Sequence, residues 1–182
     1  MDKLEREDRT PVLAERSSHI ENILQHAFLF ELGSHVWRQD PRERLTILKA
    51  EVDDAGYDLI VERDVMIRRI QLKQAHDGKT PKSFSFRVEF AMHPGACIVV
   101  IHYSMRDLRP TSYSFFGQGL EEEMPYVGPE RVTYAPGRRT ASGEKVVRTK
   151  YRDAPFSQFK QNLSMGELLD ELFPTDALRL YD

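Results

Sequence analysis

Cysteine is almost missing from this sequence. Cys97 stands alone among 182 residues, so no disulfide can form within the chain. It sits in an apolar run, where a lone cysteine is expected to pack as a small hydrophobe. Long hydrophobic runs are missing too. The longest strong one, Ala96 to Ile101, falls far short of the roughly 18 apolar residues a membrane helix needs. The N-terminal MDKLEREDRT is charged throughout and lacks the apolar stretch of a secretion signal, so a cytoplasmic location is expected. The histidines give no metal cluster: His19 and His26 are seven apart, and neither a cysteine nor a third histidine joins them. There is no G-x-S-x-G elbow, no P-loop and no dinucleotide fingerprint, and Gly117-Gln118-Gly119 reads only as a turn. A net charge of −3 does not announce a nucleic-acid binder.

What is present argues for one folded domain over residues 1–182. With 40% apolar and 10% aromatic residues the chain can bury a core large enough to offset its conformational entropy. Ile20, Ile23, Leu24, Ala27 and Phe28 recur at helical spacing from Ser18 toward Gly33. Ser18 and Glu21 fit a capping box at the start, and Gly33 fits a C-terminal stop. The period then changes. Leu45 to Val52, Tyr57 to Glu62 and Met66 to Gln74 read as three strands, the last two joined by Arg63-Asp64 and therefore forming an antiparallel hairpin. Ser83 to Met92 fits both a helix (Phe84, Val88, Ala91) and a strand (Phe84, Phe86, Val88, Phe90), and a helix crossing the sheet is the preferred reading. Ala96 to Tyr103 is a continuous β-branched run, the mark of a strand covered on both faces. Thr111 to Phe116 fits its hairpin partner, residues 125–155 a loop with a β-ribbon, and Ser164 to Phe173 a closing amphipathic helix. A mixed sheet flanked by helices, an α/β fold, follows from this order.

The local charge is more informative than the net charge. Arg131, Arg138, Arg139, Lys145, Arg148, Lys150 and Arg152 face one acid, Glu144, which gives a segment of charge +6. It reads either as a solvated loop or as a ribbon that touches phosphates, with Tyr134 and Tyr151 available to stack on bases.

Chemistry concentrates in Asp58 and, 13 positions later, Gln71-Leu72-Lys73. Strand alternation puts Gln71 and Lys73 on one face, and the hairpin carries Asp58 to them. An acid, an amide carbonyl and an ammonium then converge at one sheet edge, preceded by a helix carrying Glu21.

YDLIVE followed by IQLK resembles the PD-(D/E)XK nuclease superfamily, in which an acid starts the second core strand and a (D/E/Q)-x-K element lies on the third. The Gln form is similar to that of the Mrr-like restriction endonuclease branch. The resemblance covers about Ser18 to Tyr103, roughly half the chain, and implies a restriction endonuclease-like three-layer fold. It also implies a Mg²⁺- or Mn²⁺-dependent endonuclease, a hydrolase of phosphodiester bonds with DNA as its expected partner. Asp58 would be the central metal ligand, with the Gln71 side-chain carbonyl, the Leu72 backbone carbonyl and Glu21 completing the set. Lys73 would orient the attacking water and stabilise developing charge. Arg138, Arg139, Lys145, Arg148 and Lys150 would contact the nucleic acid. Small nucleases of this kind often pair so that both strands are cut, which makes a homodimer an assembly to test.

Each residue also has a purely structural reading. Asp58 beside Gly56 fits a turn cap, Lys73 fits a side chain snorkelling to water, and Glu21 fits the capping box. Glu51 reads as a solvated or supporting acid. Gln71 in place of an acid lowers the expected cation affinity. Two alternatives therefore stand beside the enzyme: a non-catalytic nucleic-acid-binding protein of the same fold, and a structural or partner-binding protein marked by a large exposed apolar patch.

Overall fold

The computed structural model describes residues 15–49, 56–77, 81–140 and 142–174. The chain opens with helix α1 (Ser17–Gln39), then strands β1 (Leu45–Lys49), β2 (Leu59–Arg63) and β3 (Met66–His76). Strand β4 (Ser83–Arg87) and one helical turn, α2 (Val88–Ala91), lead to β5 (Ala96–Tyr103) and β6 (Pro110–Gly117). Strands β7 (Val132–Arg139), β8 (Lys145–Pro155) and β9 (Lys160–Leu163) precede the closing helix α3 (Met165–Leu172).

Six strands form a mixed sheet in the order β1-β2-β3-β5-β6-β9. Strands β1, β2 and β3 make an antiparallel meander, and β3 then runs parallel to β5, with Arg69 opposite Ala96 and His76 opposite Tyr103. A parallel neighbour requires a crossover. Residues 77–95 supply it, through β4 and α2. Helices α1 and α3 cover one face of the sheet, where Leu24, Phe28, Leu32, Leu168 and Leu172 pack on Ile70, Val99 and Ile101. The other face is covered by a three-stranded sheet, β4-β8-β7, and by α2. There Phe84, Phe86, Phe90, Phe156 and Phe159 pack on Ile98, Val100 and Phe116. With both faces covered, Ala96 to Ile101 are all buried, which explains their uninterrupted apolar character. Cys97 is 0% exposed in this core, and burial pushes its thiol pKa up to about 12.

The mixed α/β sheet agrees with the sequence pattern, and several local expectations are corrected. Ser83 to Met92 is not one helix. Phe84 and Phe86 alternate with Ser85 and Arg87, and burying both rings against β5 and β6 selects strand geometry until the chain turns at Val88. Helix α1 does not stop at Gly33, which lies within it and meets nothing within 4 Å. It ends at Asp40, whose extended backbone (φ −148°, ψ 114°) is what a following proline demands. Nor does Ser18 cap it: Arg16 holds the N-cap position without a side-chain bond. The capping box is instead at α3, where the Ser164 amide donates to Glu167 Oε2 at 2.8 Å and the Glu167 amide to Ser164 Oγ at 3.3 Å. Residues 1–14, and the 50–52 end of the first expected strand, lie outside the described residues.

Buried arginines fasten the layers. Arg68 is 1% exposed and donates to the carbonyls of Leu172 at 2.7 Å, Gln118 at 2.8 Å and Glu171 at 3.0 Å. It thereby satisfies two carbonyls at the C-terminus of α3 that the helix itself leaves open. Arg63 ties β2 to the end of α1 through Glu43 at 2.6 Å and Gln39 at 3.2 Å. Tyr113 on β6 donates to Glu31 of α1 at 2.6 Å. Among the described residues no helix is long and apolar enough to cross a membrane.

Candidate functional site

The site begins where β2 begins. Gly56 takes φ +77°, and a Cβ there would meet Phe90 Cβ at 3.0 Å and Arg87 Cδ at 3.2 Å. Only glycine lets the chain pass under Arg87 and enter the strand. Two residues on, the Asp58 amide donates to the Ile70 carbonyl at 2.9 Å, which sets Asp58 opposite Gln71. The Asp58 carboxylate then reaches along β3, and Oδ2 accepts the Leu72 backbone N–H at 2.7 Å. This bond crosses to β3 and so differs from the local cap on the turn after Gly56 expected of Asp58; it fixes the carboxylate at the edge of β3.

Among the described residues the register of β2 with β3 starts at Leu59 and Ile70, and β3 continues to His76 paired with β5. A strand residue directs its N–H and C=O to the same side. The Leu72 carbonyl therefore points, like its N–H, to the side of Asp58. Gln71, Lys73 and Ala75 alternate onto the face of the second sheet, whereas Ile70 and Leu72 face α1. Gln71 is half-buried, and its Oε1 is fully buried without a hydrogen-bond partner among the described residues. Gln74 Oε1 is in the same condition three residues further on, on the opposite face of the strand.

A cavity of about 270 Å³ borders β3 and is lined by Glu21, Leu24, Gln25, Leu72, Lys73 and Gln74, with Phe84 and Ile101 behind them. It brings Glu21 of α1 and Lys73 of β3 to one space. Since Glu21 forms no capping box, its structural explanation falls away, and its exposed carboxylate borders this cavity. Asp58 and Gln71 are not in its described lining. Two halves thus stand side by side: Asp58, Gln71 and the Leu72 backbone at the strand edge, and Lys73 with Glu21 at the cavity. Glu51 lies outside the described residues. Among the described residues no group of three His, Cys, Asp or Glu side chains could hold a metal ion. Any cation here would depend on amide and backbone carbonyl oxygens as well as Asp58.

The basic segment forms a β-ribbon, as expected around residues 131–134 and 145–150, and its strands run further than that. Strand β8 pairs with β7 at one side and with β4 at the other, so Arg87 lies opposite Tyr151. Arg138, Arg139, Lys145 and Lys150 are exposed, and Arg148 is half-buried. Arg139 donates to the Gly143 carbonyl at 2.7 Å within the hairpin. Lys145 Nζ lies 5.7 Å from the Tyr134 ring centre. With Tyr134, Ala135 and Gly137, Arg138, Arg139 and Lys145 border a surface hollow of about 310 Å³. The Arg148 guanidinium sits 3.6 Å from the Tyr151 ring centre. That contact covers one face of the Tyr151 ring.

Sequence reading missed Arg87. It lay inside a segment read as helix, and its neighbours across β8 come from more than sixty positions away. It missed Gln74 as well, although Gln71-Leu72-Lys73-Gln74 puts a second glutamine on the same strand. The outer side of α1 carries a further feature. Ile23, Phe30 and Trp37, seven apart, are 36%, 74% and 66% exposed and turned away from the buried row of Leu24, Phe28, Leu32 and Val36. A scan against protein-family models finds no match for this chain, and a search of curated proteins finds no relative.

Proposed function

We propose that this protein is a metal-dependent nuclease of the PD-(D/E)XK kind that hydrolyses phosphodiester bonds in DNA. One observation carries the reading. The Asp58 carboxylate, just before β2, and the Gln71 carbonyl oxygen, unpartnered among the described residues, lie opposite each other, with Lys73 two residues along the same face. A buried carbonyl without a partner costs about 1–3 kcal/mol, so its retention calls for a function. A hard divalent cation takes oxygen ligands, and Asp58, Gln71 and the Leu72 carbonyl are all oxygen donors; Glu21 approaches from α1. The residues fit Mg²⁺ or Mn²⁺ on that chemistry. When bound, such a cation neutralises charge on the scissile phosphate and makes a coordinated water more acidic.

The chain's own groups do the rest. The Leu72 N–H holds the Asp58 carboxylate in place before any ligand arrives, so little reorganisation remains to be done on binding. Lys73 brings a positive charge beside Gln71, where it orients the attacking water and stabilises the negative charge that builds on the phosphate. Phe84, Leu24 and Ile101 wall the cavity with apolar surface, which strengthens those electrostatic contacts. The ribbon carrying Arg138, Arg139, Lys145, Arg148 and Lys150 supplies sequence-independent attraction to the phosphate backbone.

A binding-only protein of the same fold is the second reading. It is supported by Gln71 standing where an acid would bind cations more tightly, and by the lack of a three-carboxylate group among the described residues. The exposed row Ile23, Phe30 and Trp37 supports partner binding or self-association, and leaves the ribbon unexplained.

Duplex, single-stranded and branched DNA incubated with the protein in Mg²⁺, Mn²⁺ or EDTA, beside Lys73→Ala, separates these readings. Cleavage that needs the metal and falls at least a hundredfold in Lys73→Ala is the expected result. Binding in EDTA with no cleavage under any condition would overturn the catalytic reading in favour of the second.

A further inference from the structure

We infer that the cavity between α1 and β3 receives one unstacked adenine of a DNA strand, held at its edge by Gln25 and Gln74. The inference rests on the nucleic-acid reading above and needs no metal. Gln25 stands in the buried row of α1, one residue after Leu24, and is 8% exposed. Gln74 follows Ile70 and Leu72 onto the face of β3 that α1 covers, and its Oε1 is fully buried. Both residues line the cavity of about 270 Å³. Two amides, each a donor and an acceptor, thus border one space. Yet neither side chain makes a hydrogen bond among the described residues, to the other or to any third group.

Packing alone does not call for this pair. The other buried residues of α1, Ile20, Leu24, Phe28, Leu32 and Val36, are apolar, and a leucine or methionine would continue the row. The same holds for β3, where Ile70 and Leu72 precede Gln74 on its face. Buried amides are ordinarily bonded, because losing water without a replacement is unfavourable. Two of them on different elements, turned to one cavity and not to each other, are explained by a partner that comes from outside.

The walls decide the class of that partner. Leu24, Leu72, Phe84 and Ile101 are apolar, so the cavity suits a body with apolar faces and a polar edge. A nucleobase has this form. Gln74 Oε1 is an acceptor and needs a donor, which an exocyclic amine supplies and the carbonyls of thymine do not. Glutamine pairs with adenine by taking one hydrogen bond from N6 and giving one to N7. Cytosine also carries an amine, but the two-ring purine buries more apolar surface against these walls. A base stacked inside a duplex cannot enter, so the site takes one from a single strand or one turned out of the helix. Lys73 belongs to the same lining, and a base seated here brings the adjoining phosphate toward it.

The test compares two fluorescent single strands in EDTA, so that cleavage plays no part: a thymine 20-mer, and the same strand with adenine at every fourth position. Their charges are equal, so their phosphate contacts match. Wild type should bind the adenine-bearing strand about tenfold more tightly, the worth of one good amide–base pair. Gln25→Met and Gln74→Met should each remove most of that preference while leaving affinity for the thymine strand and its salt slope unchanged. A general loss of structure would weaken both strands together. The two residues belong to different elements, so one variant remains informative if the other fails to fold. Equal binding of the two strands by wild type, or a preference that survives both substitutions, would overturn the inference and leave the nucleic-acid reading standing. Binding of neither strand would overturn both. Failure to cleave DNA would overturn neither, since that outcome bears on the metal site alone.

Discussion

Replacing Gln71 by methionine should make the metal-free protein more stable while removing the nuclease activity we propose. Gln71 Oε1 is buried without a partner among the described residues, so folding strips water from this carbonyl and returns nothing. The penalty for such a group is about 1–3 kcal/mol. Methionine is close to glutamine in length and flexible enough to fill the same space without a carbonyl. Allowing for imperfect packing, Gln71→Met should gain about 1–2 kcal/mol. At this chain size each kcal/mol moves Tm by about 2–4 °C, so the midpoint should rise by about 2–8 °C in EDTA. Magnesium should reverse the order. A ligand at ten times its Kd stabilises the folded state by about 1.4 kcal/mol, a gain open to wild type and largely closed to Gln71→Met. Differential scanning calorimetry or urea unfolding, with and without Mg²⁺, reads both effects. A less stable Gln71→Met protein in EDTA would mean that the carbonyl has a partner in solution, and the reasoning from an unsatisfied acceptor to a cation would fail. Gln71→Glu should move the other way, with lower stability in EDTA and a larger gain on adding metal.

Other outcomes follow from the packing. Arg68→Met should cost about 3–5 kcal/mol in urea unfolding, because it leaves the carbonyls of Leu172, Gln118 and Glu171 without their buried donor; a loss below about 1 kcal/mol would show that water replaces it. Cys97 should resist a thiol reagent such as DTNB in the native state at pH 8 and react fully once unfolded, since burial raises its pKa to about 12. The same shift makes the native state hold a proton that the unfolded state loses above the ordinary thiol pKa of 9.0, so Cys97 should lower stability as pH rises from there toward 12. His102, partly buried and 2.8 Å from Ser114 Oγ, is shifted the other way: burial lowers its pKa below the usual 6.5. The unfolded chain then takes up the proton first, so stability should fall as pH drops below about 6.5, by at most ~1.4 kcal/mol per pH unit, until the native ring also protonates. His102→Gln should flatten that limb in pH-dependent urea titrations, and an unaltered limb would assign it to another group.

The sequence by itself determined those parts of the protein that rest on near neighbours. The β2–β3 hairpin needs only a short connection, so Asp58 could be brought close to Gln71 from the sequence, and strand alternation put Lys73 on the same face as Gln71; the exact register, Arg63 opposite Met66, came with the fold. The unbroken apolar run of β5 announced a strand covered on both sides, whatever covers it. Pro41 and Asp40 also marked the true end of α1, a signal that outweighs Gly33, because a helix tolerates an inner glycine but not the backbone that precedes a proline. Tertiary structure alone decided the rest. Whether Ser83 to Arg87 becomes strand or helix depended on Ala154 and Arg152, partners some seventy positions away, which bury Phe84 and Phe86 on one face. That pairing in turn set Arg87 over Gly56 and beside Tyr151, a contact no local pattern encodes. Gln71 could be recognised in the sequence as out of place on an apolar strand. That its carbonyl is left without a partner is a property of every atom packed around it, and only the folded chain brings those atoms together.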